Sequence, residues 1–237
     1  MPTSCRNLHA SANSRLCCVH NKQHGRALWY FLLSILAVCA GIGLYIFNND
    51  KFHTTNSNEL RGLQHATSFH NNPSAFPTFS LVDHHGKNYT HDNIKNAWSF
   101  VFFGFTHCPD ICPLTLNTID QVINELHSIE NLNAQAILIS VDPKRDSTKQ
   151  LHEYVRYFND FTIGLSGESD EIKQLTQKLG VVYTTPSTEK IEDYVVDHSA
   201  HIFLVAPDGN LLALFGTPHE TETIVKDFKI LKANYEK

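Results

Sequence analysis

The sequence predicts an α/β domain, a central mixed sheet flanked by helices, behind one N-terminal transmembrane helix. Three observations carry that prediction. Apolar runs of strand length alternate with amphipathic stretches of helix length between residues 98 and 179. A hairpin signal, Pro207-Asp208-Gly209-Asn210, separates two further apolar runs near the C-terminus. An uncharged run of 21 residues, Ala27 to Phe47, precedes all of them.

The apolar run reads as an anchor. As a helix rising ~1.5 Å per residue, ALWYFLLSILAVCAGIGLYIF spans roughly the ~30 Å hydrocarbon core of a bilayer. Trp29, Tyr30 and Tyr45 lie near its ends, where amphipathic rings favour the interface. Arg6, Arg15, Lys22 and Arg26 precede it without any acid, so 1–26 reads as a basic cytoplasmic tail and the remainder as exported. A cleaved signal peptide has a shorter apolar core, about 7–15 residues, and a small-x-small exit. A lipid-modified Cys39 would follow a small residue rather than Val38. An uncleaved anchor over 27–47 fits better than either.

Residues 48–75 are polar, rich in Asn, Ser and His, and lack apolar periodicity, so they read as a flexible tether. The folded domain is expected over 76–237. Phe79-Ser80-Leu81 and His85 to Tyr89 suggest a short hairpin turned by Gly86. Trp98 to Phe105 (WSFVFFGF) reads as a central strand buried on both faces. Leu116, Ile119, Ile123 and Leu126 then recur at helical spacing. Ala136 to Val141 is a second buried strand, and Ser147 to Phe158 reads as a helix capped by Ser147. A strand is expected at Phe161 to Leu165, then a helix from Ser169 to Leu179 that stops at Gly180. His201 to Ala206 and Leu211 to Phe215 form the hairpin, and a last helix runs from about Glu220 to Lys232. The thioredoxin-like fold fits this order, with a site expected where the first central strand ends.

Charge excludes one class of partner. Beyond Phe47 the chain holds 15 basic and 24 acidic residues, a net of −9, with no basic stripe. Such a surface cannot displace counterions from a phosphate backbone, so nucleic acid is not expected as a partner.

Six cysteines suggest a disulfide framework until they are placed. Cys5, Cys17 and Cys18 fall in the tail and Cys39 in the apolar run, which leaves Cys108 and Cys112 in the domain. A domain of this size builds its own core, so the pair is a redox couple or a ligand pair. In a first helical turn, i and i+4 share a face with Cβ atoms ~5–6 Å apart. From there two sulfurs can reach one ion or close to a disulfide. A helix N-terminus stabilises thiolates, which serve both chemistries, and Pro113 suits a first helical position. Spacing does not choose between them.

Twelve histidines follow residue 47, most of them expected at the surface. His198 differs, lying in Asp197-His198-Ser199-Ala200 between the apolar Tyr194-Val195-Val196 and a core strand. A lone His there is more often structural than a ligand. Two thiolates and one imidazole would nevertheless suit copper, since sulfur holds Cu(I) and imidazole accommodates Cu(II).

Phe103 to Pro113 (FGFTHCPDICP), Ser140 to Asp146 (SVDPKRD) and Val196 to Gly209 (VDHSAHIFLVAPDG) together resemble the Sco/SenC family of copper chaperones, in unbroken order over roughly 76–235. The resemblance implies a thioredoxin-like fold, an N-terminal membrane anchor, and one copper ion per domain on Cys108, Cys112 and His198. It further implies delivery to the dinuclear copper centre of cytochrome c oxidase subunit II. Another copper chaperone or a thiol reductant would be a further partner. Departures are small: Asn93–Ala97 lacks a glycine often present before the central strand, and Ser147-Thr148 replaces Thr-Pro. His107 adjoins the motif and reads as a surface residue.

Asp142, Arg145 and Asp146 are expected on the same rim, as a turn and helix cap, with Asp142 also considered for a docking surface. The chief alternative function is thiol–disulfide reduction, Cys108 attacking and Cys112 resolving, which has no evident need for His198. No feature demands peroxidase chemistry, and a structural zinc site would want a fourth ligand. The expected location is a bacterial inner membrane with the domain in the periplasm. The alternative is the mitochondrial inner membrane facing the intermembrane space.

Overall fold

The computed structural model describes residues 23–50, 60, 62–70, 72–184, 197, 198 and 200–237; side chains at 23–28, 43–50, 129, 197 and 198 lie outside that description. Two compact units divide the chain, 1–57 and 58–237.

The first unit contains helix α1, Gln23–Asp50, which includes the whole predicted anchor. Over 28 residues it extends ~42 Å at ~1.5 Å per residue. Trp29, Phe31, Leu32, Leu36, Val38 and Ile42 are all exposed, so apolar groups cover it all round. The Ser34 hydroxyl donates to the Phe31 carbonyl at 2.7 Å, satisfying its polar group within the helix. Among the described residues no helix is long and apolar enough to cross a membrane.

In the second unit the strands are β1 (Ala66–Ser68), β2 (Ser74–Ala75), β3 (Ser80–Asp83), β4 (Asn88–Thr90), β5 (Trp98–Gly104), β6 (Ala134–Ser140) and β7 (Thr162–Ser166). They continue as β8 (Tyr183–Thr184), β9 (Asp197–His198), β10 (Ile202–Val205) and β11 (Asn210–Phe215). The helices are α2 (Ile111–Glu130), α3 (Thr148–Val155), α4 (Ser169–Leu179) and α5 (Thr221–Tyr235). Among the described residues nine strands form one sheet in the order β1-β11-β10-β5-β6-β7-β3-β4, with β2 also on β11. β5, β6 and β7 run parallel, and the flanking strands pair antiparallel. This is the mixed α/β arrangement expected from the sequence.

Every residue of β5 is buried, which explains its continuous apolar run. Leu116, Ile119, Ile123 and Leu126 of α2 are all buried too, each stabilising the fold by roughly 1.5–3 kcal/mol. Trp98 meets Phe228 of α5 edge-to-face at 5.0 Å, fastening the last helix to the start of β5. The Pro207–Asn210 hairpin forms as read, with Gly209 at φ +86°, where a side chain would be strained. Ser147 caps α3 by accepting from the Gln150 N–H, and α4 ends at Gly180.

The expected tether is shorter than predicted. Residues 66–68 and 74–75 pair with β11, so part of 48–75 belongs to the sheet. Asp227, fully buried on α5, accepts the backbone N–H groups of Gln64, His65 and Ala66, each at 2.8 Å. Strands of two and three residues show no periodicity; what recruits them is the open edge of β11 and this carboxylate.

Candidate metal centre

The strand β5 ends at Gly104, and the loop 105–110 leads directly into α2. Cys108 lies in that loop and Cys112 in the first turn of the helix. The N–H of Cys112 donates to the Cys108 sulfur at 3.4 Å, so Cys108 satisfies one of the free donors at the helix start. Asp110, the residue at the cap position, makes no side-chain cap bond.

The two thiols differ in environment. Cys108 is partly exposed, while Cys112 is fully buried. A Cβ on Gly104 would stand 2.9 Å from the Cys112 sulfur, so only glycine leaves that sulfur its space. Burial pushes the Cys112 thiol far above its usual range, the bond from Phe105 only partly offsetting it, and Cys108 beside it adds to the rise. Burial of Cys112 thus works against the lowering expected at a helix start.

Neighbouring groups fix the loop. Asp146, buried, accepts the Thr106 N–H at 2.9 Å, the Thr106 hydroxyl at 2.6 Å and the Ser140 hydroxyl at 2.7 Å. His107 Nδ1 lies 3.4 Å from the same carboxylate, and its side chain is about half exposed (44 %), in keeping with the surface role. Asp142 is only 1 % exposed and its carboxylate is held by Arg145 Nε at 2.5 Å, so it offers no docking surface. Its role is to lock the turn after β6. The Arg145 guanidinium also lies over the Phe105 ring, 5.7 Å from its centre, tying that turn to the cysteine loop.

His198 is approached through the backbone. In a separate two-stranded sheet its β9 position faces Tyr183 of β8. The chain then enters β10, where Ile202 pairs with Phe102 near the C-terminal end of β5. Because β10 runs antiparallel to β5, residues preceding Ile202 arrive at the edge where β5 releases the cysteine loop. The His198 side chain lies outside the described residues.

Two residues at this edge escaped the sequence reading. The Tyr154 hydroxyl on α3 is buried without a hydrogen-bond partner among the described residues. Burial above all, then the thiols of Cys112 and Cys108 and the charge of Asp146, push its phenol well above the usual range. His219 Nε2 lies 2.5 Å from the Ala200 carbonyl, fastening the strand that follows His198. Neither stands in a motif, and only tertiary packing brings them here.

The SCO1/SenC family model matches residues 69–232. This chain belongs to the SCO1/SenC family. The SCO1 homolog 1 of Arabidopsis thaliana, named as mitochondrial, is 33% identical over 214 residues, covering 86% of this chain and 62% of its own length. The chain thus spans under two thirds of that relative. The crystal structure of Arabidopsis thaliana ScoI with copper bound is similar at TM-score 0.63 and 34% identity, covering 69% of this chain and 100% of that one. Yeast Sco1 with copper bound gives TM-score 0.63 and 34% identity, over 70% of this chain and 91% of that one. The thioredoxin-like α/β architecture expected for this SCO1/SenC member is the one observed.

Proposed function

We propose that this chain is a membrane-anchored copper chaperone that carries one copper ion on Cys108, Cys112 and His198 and passes it to cytochrome c oxidase subunit II. The observation that carries the reading is the contact of Cys108, in the loop after β5, with Cys112 in the first turn of α2, at the sheet edge where β10 begins. The donor set suits copper: soft sulfur holds Cu(I), and an imidazole accommodates Cu(II). Copper is named as bound in the Arabidopsis and yeast structures, which supports the assignment.

Copper is cargo, and the protein's part is to hold and release it. The buried Cys112 supplies the sequestered donor, releasing its proton as the ion binds. The partly exposed Cys108 is the donor that an acceptor's ligands reach first. Thiol ligands exchange without leaving the ion free in solution.

In this proposal the uncharged run Ala27 to Phe47 within α1 is the membrane anchor, supported by the apolar side chains exposed between Trp29 and Ile42. The domain then faces the non-cytoplasmic side, a bacterial periplasm or the mitochondrial intermembrane space. The mitochondrial name of the Arabidopsis relative supports the second.

The asymmetry of the thiols favours a second reading, reduction of a partner disulfide. The Cys108 thiolate would attack one partner sulfur, giving a mixed disulfide and releasing a partner thiolate. Cys112, after losing its proton, would then attack Cys108, freeing the second partner thiol and leaving a Cys108–Cys112 disulfide. Adding Cu(II) to the full chain separates the two. The chaperone reading expects sulfur-to-copper absorption that falls away in His198→Ala, and the reductase reading expects no dependence on His198.

A further inference from the structure

Away from the dithiol, three imidazoles converge. His84 and His85 lie in the turn between β3 and β4, and His152 lies on α3. Each offers a ring nitrogen, and these nitrogens all lie within 4.8 Å of one another. The ring centres are 4.1 Å apart for His84 and His85, 5.7 Å for His84 and His152, and 5.4 Å for His85 and His152.

The fold explains how they meet. Gly164 of β7 carries no side chain, and a Cβ there would stand 3.0 Å from Val155 Cγ1 and 3.3 Å from Leu151 Cδ2. Its absence lets α3 settle onto β7, which places His152, next to Leu151, above the β3–β4 turn. The N–H of Gly164 donates to His84 Nδ1 at 3.1 Å, fixing the turn from the other side. Asp83 accepts the N–H groups of His85 at 2.9 Å and Lys87 at 2.8 Å, which sets the turn and puts a carboxylate beside the rings.

We propose that His84, His85 and His152 form a second metal site, for a borderline divalent ion such as Zn(II) or Cu(II), independent of the cysteine pair. Three neutral imidazole donors suit those ions and offer nothing to a hard cation such as Ca(II). Among the described residues the rings of His85 and His152 have no hydrogen-bond partner, so their donors are unengaged. His84 can join through Nδ1 by exchanging its bond to Gly164 for the ion, at the cost of leaving the buried Gly164 N–H without that acceptor. Three protein donors leave a fourth position for water or for a ligand of the donor that loads the ion. A bound ion would also bridge the β3–β4 turn to α3, the helix that carries Tyr154 beside the thiols.

The test uses the full chain with all six cysteines, Cys108 and Cys112 among them, replaced by serine, so that no thiol can contribute. Zinc chloride is titrated and bound zinc measured by equilibrium dialysis, then repeated after adding His85→Ala and His152→Ala. These positions are on a turn and a capped surface helix, and far-UV circular dichroism checks that folding is kept. The proposal expects about one zinc per chain that disappears with the two histidines, and at least a ~10-fold weaker affinity for His152→Ala alone. It also expects Cu(II) in the dithiol-free chain to show nitrogen hyperfine structure that the histidine variants lose. Zinc binding that is absent, or unchanged when both histidines are removed, overturns it. Either outcome leaves the reading of Cys108 and Cys112 where it stands.

Discussion

Asp146 accepts two hydrogen bonds from Thr106, one from its N–H at 2.9 Å and one from its hydroxyl at 2.6 Å, so the loop carrying Cys108 hangs from the turn before α3. Removing that carboxylate strands a partly buried N–H and two hydroxyls, that of Ser140 fully buried. Asp146→Ala should therefore cost about 2–4 kcal/mol, read by urea denaturation. Its copper affinity should fall about 10–100-fold, as expected when a group that orients a ligand is lost. Unchanged affinity would mean that the cysteine loop holds its shape without Asp146.

A methyl group tests the space around Cys112. Gly104→Ala places a carbon 2.9 Å from the Cys112 sulfur and 2.7 Å from Phe102 Cε1, closer than either contact allows. The cost should be about 1–3 kcal/mol, with altered reactivity of Cys112 toward a thiol reagent relative to Cys108. A variant as stable as wild type and equally reactive would show that the sulfur has room to move.

The edge of the sheet should respond to acid through His219. Burial lowers its proton affinity, and nearby His201 and His65 lower it further, while the Ala200 carbonyl pulls the other way. A group whose folded pKa lies below its unfolded value binds fewer protons when folded. Its contribution is complete above the unfolded value, ~6.5, and is lost as pH falls below it. His84 acts with the same sign. Thermal denaturation between pH 7.5 and 5 should show falling stability, and His219→Gln should flatten that slope. An identical slope would assign the acid sensitivity elsewhere.

Most of the fold was readable because periodicity and turn chemistry agreed. The unbroken apolar run of β5, the stripe from Leu116 to Leu126 and the hairpin at Gly209 each carry a local signal. β1 and β2 carry none, since their pairing depends on the edge of β11 and on Asp227, about 160 residues away. The cysteines announced themselves by spacing. The burial that raises the proton affinity of Cys112 did not, because the helix start is visible in sequence whereas packing against Gly104 is not. Asp142 looked like a rim residue, and only its bond to Arg145 shows why it lies inside.

The anchor makes a separate prediction. The full chain should remain with membranes after carbonate extraction, and a chain beginning at residue 58, where the second compact unit starts, should be soluble. Release of the full chain by carbonate, or a mature protein starting near residue 40, would contradict an uncleaved span.

In the proposed site a close pair of thiols, Cys108 and Cys112, and the sequence-distant His198 hold one copper ion. Copper per chain after anaerobic Cu(I) loading and removal of loose metal by a chelator measures this directly, in wild type and in Cys108→Ser, Cys112→Ser and His198→Ala, each in the His85→Ala/His152→Ala background. About one copper should be retained without those substitutions, with a marked loss on each of the three. Full retention in His198→Ala would contradict it, leaving a tethered dithiol that holds copper through sulfur alone.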